Sequence, residues 1–163
     1  MPTGPTPSTP PPPPPRRTPP TPKPDPLKSS IDAIRANASQ LNALTDHAGH
    51  VVQKVEEFLN EQCSVGVPAY VQFRGDGEDP EGTYLAYRRV GPRYRIAIVE
   101  VDDRGDDTEH KAWSDSPRDL KLESFSKLPT LLAQVADRVK TMIDNTKESI
   151  KQVEESLRAL TAG

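Results

Sequence analysis

Between Ser29 and Gln62, apolar or small residues recur at Ile31, Ile34, Ala38, Leu41, Thr45, Ala48, Val52, Val55 and Leu59. Steps alternating between three and four residues keep these positions on one stripe of a helix. A second stripe follows between Pro129 and Thr161, at Leu132, Ala136, Val139, Ile143, Thr146, Ile150, Val153, Leu157 and Leu160, in the mirror order that suits a helix running the other way. Laid antiparallel, the two fill every layer, from Ile31 with Leu160, through Leu41 with Ile150 and Ala48 with Ile143, to Leu59 with Leu132. Ser29 and Asp32 have capping-box spacing at the start of the first helix. Gly49, beside Ala48, reads as a site of close packing.

From residue 65 to 126 the period changes to that of strands. The segments 67–73, 83–90, 94–101 and 109–114 are rich in β-branched and aromatic residues, and RGDGEDPEG, VGP and DDRGDD separate the first three and the last. Connections so short leave no room for parallel crossovers, so a four-stranded antiparallel meander is predicted. Residues 118–126 read equally as a strand or a helical turn. The predicted fold class is therefore α+β: an antiparallel two-helix coiled-coil hairpin (helices 29–62 and 129–161) with the meander inserted at 65–126. Together these form one folded domain, 29–163, preceded by a proline-rich tail, 1–28.

Beside the first seam runs a further stripe. Leu44, Val51 and Phe58 repeat every seven residues on one helix, and Leu128, Leu131, Val135 and Met142 lie on the other. Water is a costly neighbour for such a face, so either the sheet folds back on it or a second copy completes a four-helix bundle. On the second option Leu44, Val51, Phe58, Leu131, Val135 and Met142 form a self-association surface, and the chain is a homo-oligomer.

Composition narrows the picture. With 33 % hydrophobic and 5 % aromatic residues, the chain fills a thin seam and a small sheet rather than a deep core. Most of its 19 prolines fall in the tail, which lacks the backbone donors for helix or sheet and favours polyproline II. There Pro11, Pro14 and Arg16, and again Arg16, Pro19 and Pro22, match both orientations of a proline-groove ligand, a candidate docking element. The tail carries Arg16, Arg17, Lys23 and Lys28 against Asp25, so the net charge of −3 leaves the remainder acidic. That weighs against extensive nucleic-acid binding. No apolar run is long enough for a membrane span or a signal core. The single Cys63 excludes an internal disulfide and suits a reducing, cytoplasmic setting.

The most distinctive local chemistry is Tyr87 to Arg95, YRRVGPRYR. If Val90 pairs with Arg93, Arg88 stands opposite Arg95, and cations so placed repel unless an anion joins them. Arg88, Arg89, Arg93 and Arg95 with Tyr87 and Tyr94 thus form a candidate site for carboxylates of this chain, for a partner's, or for phosphate. Arginines beside aromatics also suit single-stranded nucleic acid. His47 and His50 lack a third ligand nearby, and the acidic turns lack calcium-loop spacing, so no metal or cofactor is expected. Both RGD tripeptides, at Arg74 and Arg104, read as turn composition. Without a nucleophile–base pairing or a phosphate loop, the chain reads as non-enzymatic.

These features point to an interaction or assembly module, a coiled-coil scaffold or adaptor with a mobile polyproline tail and an unidentified protein partner. The order helix, two hairpins, returning helix is similar in layout to a prefoldin alpha-type subunit, although that family's motifs are absent; a holdase chaperone is therefore the alternative. A nucleic-acid accessory protein using the arginine hairpin is a third.

Overall fold

The computed structural model describes Met1, Gly4 and residues 25–161. It divides into two compact units, Met1–Asn37 and Ala38–Gly163. The first contains the start of helix α1 (Pro26–Glu57). Asp25 is the cap: its side chain accepts the Leu27 N–H at 3.0 Å, and its carbonyl accepts from Ser29. Pro26 takes the first helical position, where its missing N–H costs nothing. The helix thus begins before Ser29, which lies inside it, and the expected capping box is not the start.

In the second unit α1 ends in a π-helical turn, Phe58–Gln62. Cys63 N–H donates to Phe58 O at 3.1 Å, and Val65 N–H to Leu59 O at 2.9 Å. Ser64 closes the helix in a left-handed conformation, φ 51°, the position at which glycine is usual. Four strands follow, β1 (Ala69–Arg74), β2 (Gly82–Val90), β3 (Arg93–Val101) and β4 (Asp107–Ala112), as an open antiparallel meander in sequence order. At Gly82, φ +156°, an added Cβ would lie 2.3 Å from Arg74 O, so only glycine fits this irregular start of β2. After a 3-10 turn, Trp113–Asp115, come α2 (Arg118–Phe125) and α3 (Leu128–Thr161). The ambiguous stretch 118–126 is therefore helical, and Trp113 sits just past β4 rather than within a strand.

The core lies against one sheet face. Leu85, Tyr87, Ile96 and Ile98 project from β2 and β3 and meet Ala48, Val52 and Leu59 of α1 with its π turn, Leu128, Leu131 and Val135 of α3, and Trp113. Trp113 donates its indole N–H to Ser124 Oγ at 3.1 Å, and both side chains are buried. On the other face Ala86, Ala97 and Val99 are covered by Tyr70, Tyr84, Val90 and Val101.

The coiled-coil hairpin is the expectation that fails. Three α-helices are present among the described residues, one before the sheet and two after it. Within Ala38–Gly163 the predicted layers do not form: Leu41, Ile143, Ile150 and Val153 are 39 to 59 % exposed. The physical reason is competition for the same faces. Each long helix spends its buried surface on the sheet, α3 through Leu128, Leu131 and Val135 at one-turn and two-turn spacing, and α1 through Ala48, Val52 and Leu59. A heptad pattern specifies which face is buried but not what buries it. Among the described residues no helix is long and apolar enough to cross a membrane.

Candidate functional site

The placement of α1 depends on an incomplete strand edge. β4 ends at Ala112, opposite Ala97, so the first half of β3 has no strand on that side. Helix α1 supplies the missing partners. Glu56 Oε1 accepts the Ile96 N–H at 2.7 Å, and Asn60 Nδ2 donates to Tyr94 O at 2.9 Å. Unpaired buried backbone groups are costly, so these two side chains fix the helix in position and rotation. Burial raises the Glu56 carboxyl above its usual range, and the Ile96 N–H and the Arg95 guanidinium offset this only in part. Tyr87 pins the exit from the helix by donating to Val65 O at 2.6 Å; burial pushes its phenol up to about 12.

With α1 held on β3 and α3 packed over β1 and β2, the two helices leave a groove between them of about 780 Å³. Val51, Val55, Phe58 and Leu59 line one wall, and Leu132, Val135, Ala136, Val139 and Ile143 the other. The π turn contributes directly. Its wider spacing sends Leu59 to the core and Asn60 to β3 while Phe58, about half exposed, faces the groove. Lys54 and Lys140, both exposed, stand on opposite walls, and Cys63 lies at one end. A cavity of this size, walled by hydrocarbon with a few charged groups, is the usual form of a binding site.

Of the six residues read as a self-association surface, Leu44, Phe58 and Met142 are about half exposed, and Val51 is partly buried in the groove wall. Leu131 and Val135 are core residues instead, covered by the sheet, although Val135 also lines the α3 wall of the groove. The sequence reading missed Lys54, Lys140 and the groove itself, because it assigned Val55, Val139 and Ile143 to a closed seam.

In the arginine hairpin, carboxylates of this chain meet the two facing cations. Val90 pairs with Arg93 and Arg88 with Arg95, and each of the two facing cations has a carboxylate of this chain. Arg88 binds Asp107 at the start of β4, while Arg95 lies 3.6 Å from Glu56 and donates to Ser114 Oγ at 3.1 Å. Arg89 donates to Gly91 O in its own turn. Arg93 borders a smaller cleft with Tyr94, Glu57 and Glu61, and Tyr87 and Tyr94 pack ring to ring, centroids 5.3 Å apart. Arg74, in the first RGD tripeptide, is tied to Glu123 and Asp119 of α2. Pro11, Pro14, Arg16, Pro19 and Pro22, the expected docking element, lie outside the described residues.

No protein-family model, curated protein or solved structure matches this chain. Without an intramolecular coiled coil, the expected coiled-coil scaffold or adaptor mechanism has no structural basis.

Proposed function

We propose that this chain is a non-catalytic binding domain whose groove receives an amphipathic segment, apolar face inward and acidic flank against Lys54 and Lys140. One observation carries the reading: two helices anchored separately on the sheet expose facing hydrocarbon walls with a cation on each. Burial of the contiguous apolar surface supplies the driving force, at about 25 cal/mol per Å² removed from water. The lysines contribute orientation and encounter rate more than affinity. The groove's side chains offer burial and charge rather than a proton-transferring pair, which supports binding over turnover. A lone exposed thiol such as Cys63 suits work in the cytoplasm, where thiols stay reduced.

The test is fluorescence anisotropy with a labelled helical peptide carrying leucines at three–four spacing and glutamates on the flanks. At submicromolar concentration the full chain is expected to bind it saturably. Val139→Asp should abolish binding, and Lys54→Glu with Lys140→Glu should weaken it about tenfold at low salt. Equal binding by all three proteins would overturn the proposal.

A further inference from the structure

Charge in the groove has one sign. Lys54 and Lys140 are the only charged side chains among the lining residues, and no carboxylate stands beside them in either wall. Neither lysine joins an ion pair among the described residues. Two free ammonium groups on a channel otherwise walled by hydrocarbon match an anionic amphiphile.

Size then distinguishes between amphiphiles. A helix is about 10–12 Å across, so it inserts only the side chains of one face. The volume of about 780 Å³ falls instead among sites that enclose a whole small molecule, roughly 300–1,000 Å³. The lysines also lie off centre. Lys54 is three residues from Val51 and nine from Cys63, while Lys140 is three from Ile143 and eight from Leu132. The apolar run from the lysines toward Cys63 and Leu132 is therefore about 12–14 Å on either wall, the length of an alkyl chain of about ten to twelve carbons.

We infer that the groove binds an unbranched alkyl carboxylate of that length, chain toward Cys63 and head group at Lys54 and Lys140, in competition with the amphipathic segment. The inference rests on the groove being a docking site and gives that site a small-molecule regulator. Lysine stems lie along apolar surface while their ammonium groups stay in water, so both can meet the carboxylate at the mouth without being buried. A shorter chain leaves wall in contact with water. A longer one runs past Cys63 or past the lysines into solvent, where added methylenes gain nothing.

The experiment is isothermal titration calorimetry of the full chain with alkyl carboxylates of eight to fourteen carbons, each below its critical micelle concentration, and with 1-decanol. Displacement of the labelled peptide is followed alongside. One site per chain is expected, with affinity rising about fourfold per methylene, levelling near twelve carbons, and peptide released as the site fills. Decanoate should bind about tenfold more tightly than 1-decanol, and Lys54→Gln with Lys140→Gln should remove that difference while leaving 1-decanol binding unchanged. Affinity that climbs through fourteen carbons without levelling, or equal binding of carboxylate and alcohol, marks adventitious adsorption only and overturns the inference. Peptide binding without carboxylate binding, or binding of both without displacement, overturns this ligand and leaves the peptide reading standing. Decanoate binding without peptide binding supports the ligand and overturns the peptide reading, and failure of both overturns both.

Discussion

Replacing Glu56 tests whether a helix side chain completes the β3 edge. Its carboxylate accepts the Ile96 N–H at 2.7 Å and lies 3.6 Å from Arg95, with 15 % of the side chain exposed. Glu56→Ala leaves that N–H unpaired at a buried strand, which costs about 1–3 kcal/mol. The lost ion pair adds less than about 1 kcal/mol, since Arg95 is 35 % exposed. A net loss of roughly 2 kcal/mol corresponds to a fall in Tm of about 6–10 °C for a domain of this size. Glu56→Gln keeps an acceptor oxygen and carries no charge to desolvate, so it should hold most of that stability. The sign of the pH dependence separates the two effects. Because the folded state raises the carboxyl, its contribution is full below the unfolded value and declines as pH rises through the folded one. Wild type should therefore lose stability relative to Glu56→Gln on going from pH 4 to pH 7, as measured by urea unfolding. A Glu56→Ala protein as stable as wild type at pH 7 would refute the edge-completion account, and a wild-type-minus-Gln difference that grows with pH would refute burial as the dominant influence on the carboxyl.

Ser64 holds a left-handed backbone, φ 51°, so Ser64→Gly should raise stability by about 0.5–1 kcal/mol in chemical denaturation. Ser124→Ala removes the acceptor of the buried Trp113 indole N–H; a loss of about 1–3 kcal/mol and a shifted tryptophan emission maximum are expected. Tyr87 is pushed up to about 12 by burial, so its contribution is complete below the ordinary value near 10 and is lost as pH climbs toward 12. Tyr87→Phe should remove that component of alkaline destabilisation, read from Tm between pH 9 and 12, while costing about 1 kcal/mol at neutral pH through the lost bond to Val65 O.

Periodicity and turn chemistry determined the elements. The strands of the meander were legible because each is bounded by glycine, proline or aspartate, and the VGP turn set the register that puts Arg88 opposite Arg95. Both long helices were legible from their stripes, and Asp25 followed by Pro26 was an available start signal that the reading passed over. What the pattern does not contain is the neighbour. Leu131 and Val135 carry the same signal whether a helix, a second copy or a sheet covers them, and only the tertiary structure assigned them to the sheet. The carboxylates that neutralise the hairpin, Asp107 and Glu56, lie far along the chain from their arginines, so no local motif announces them. Lys54 and Lys140 read as ordinary flanking cations until the walls between them open. Which face of each helix is apolar follows from residue order alone, because side-chain direction is set by helical geometry. Which parts of those faces the sheet takes, and so where a groove is left, depends on long-range packing, because the incomplete β3 edge holds α1 and the β1–β2 surface holds α3.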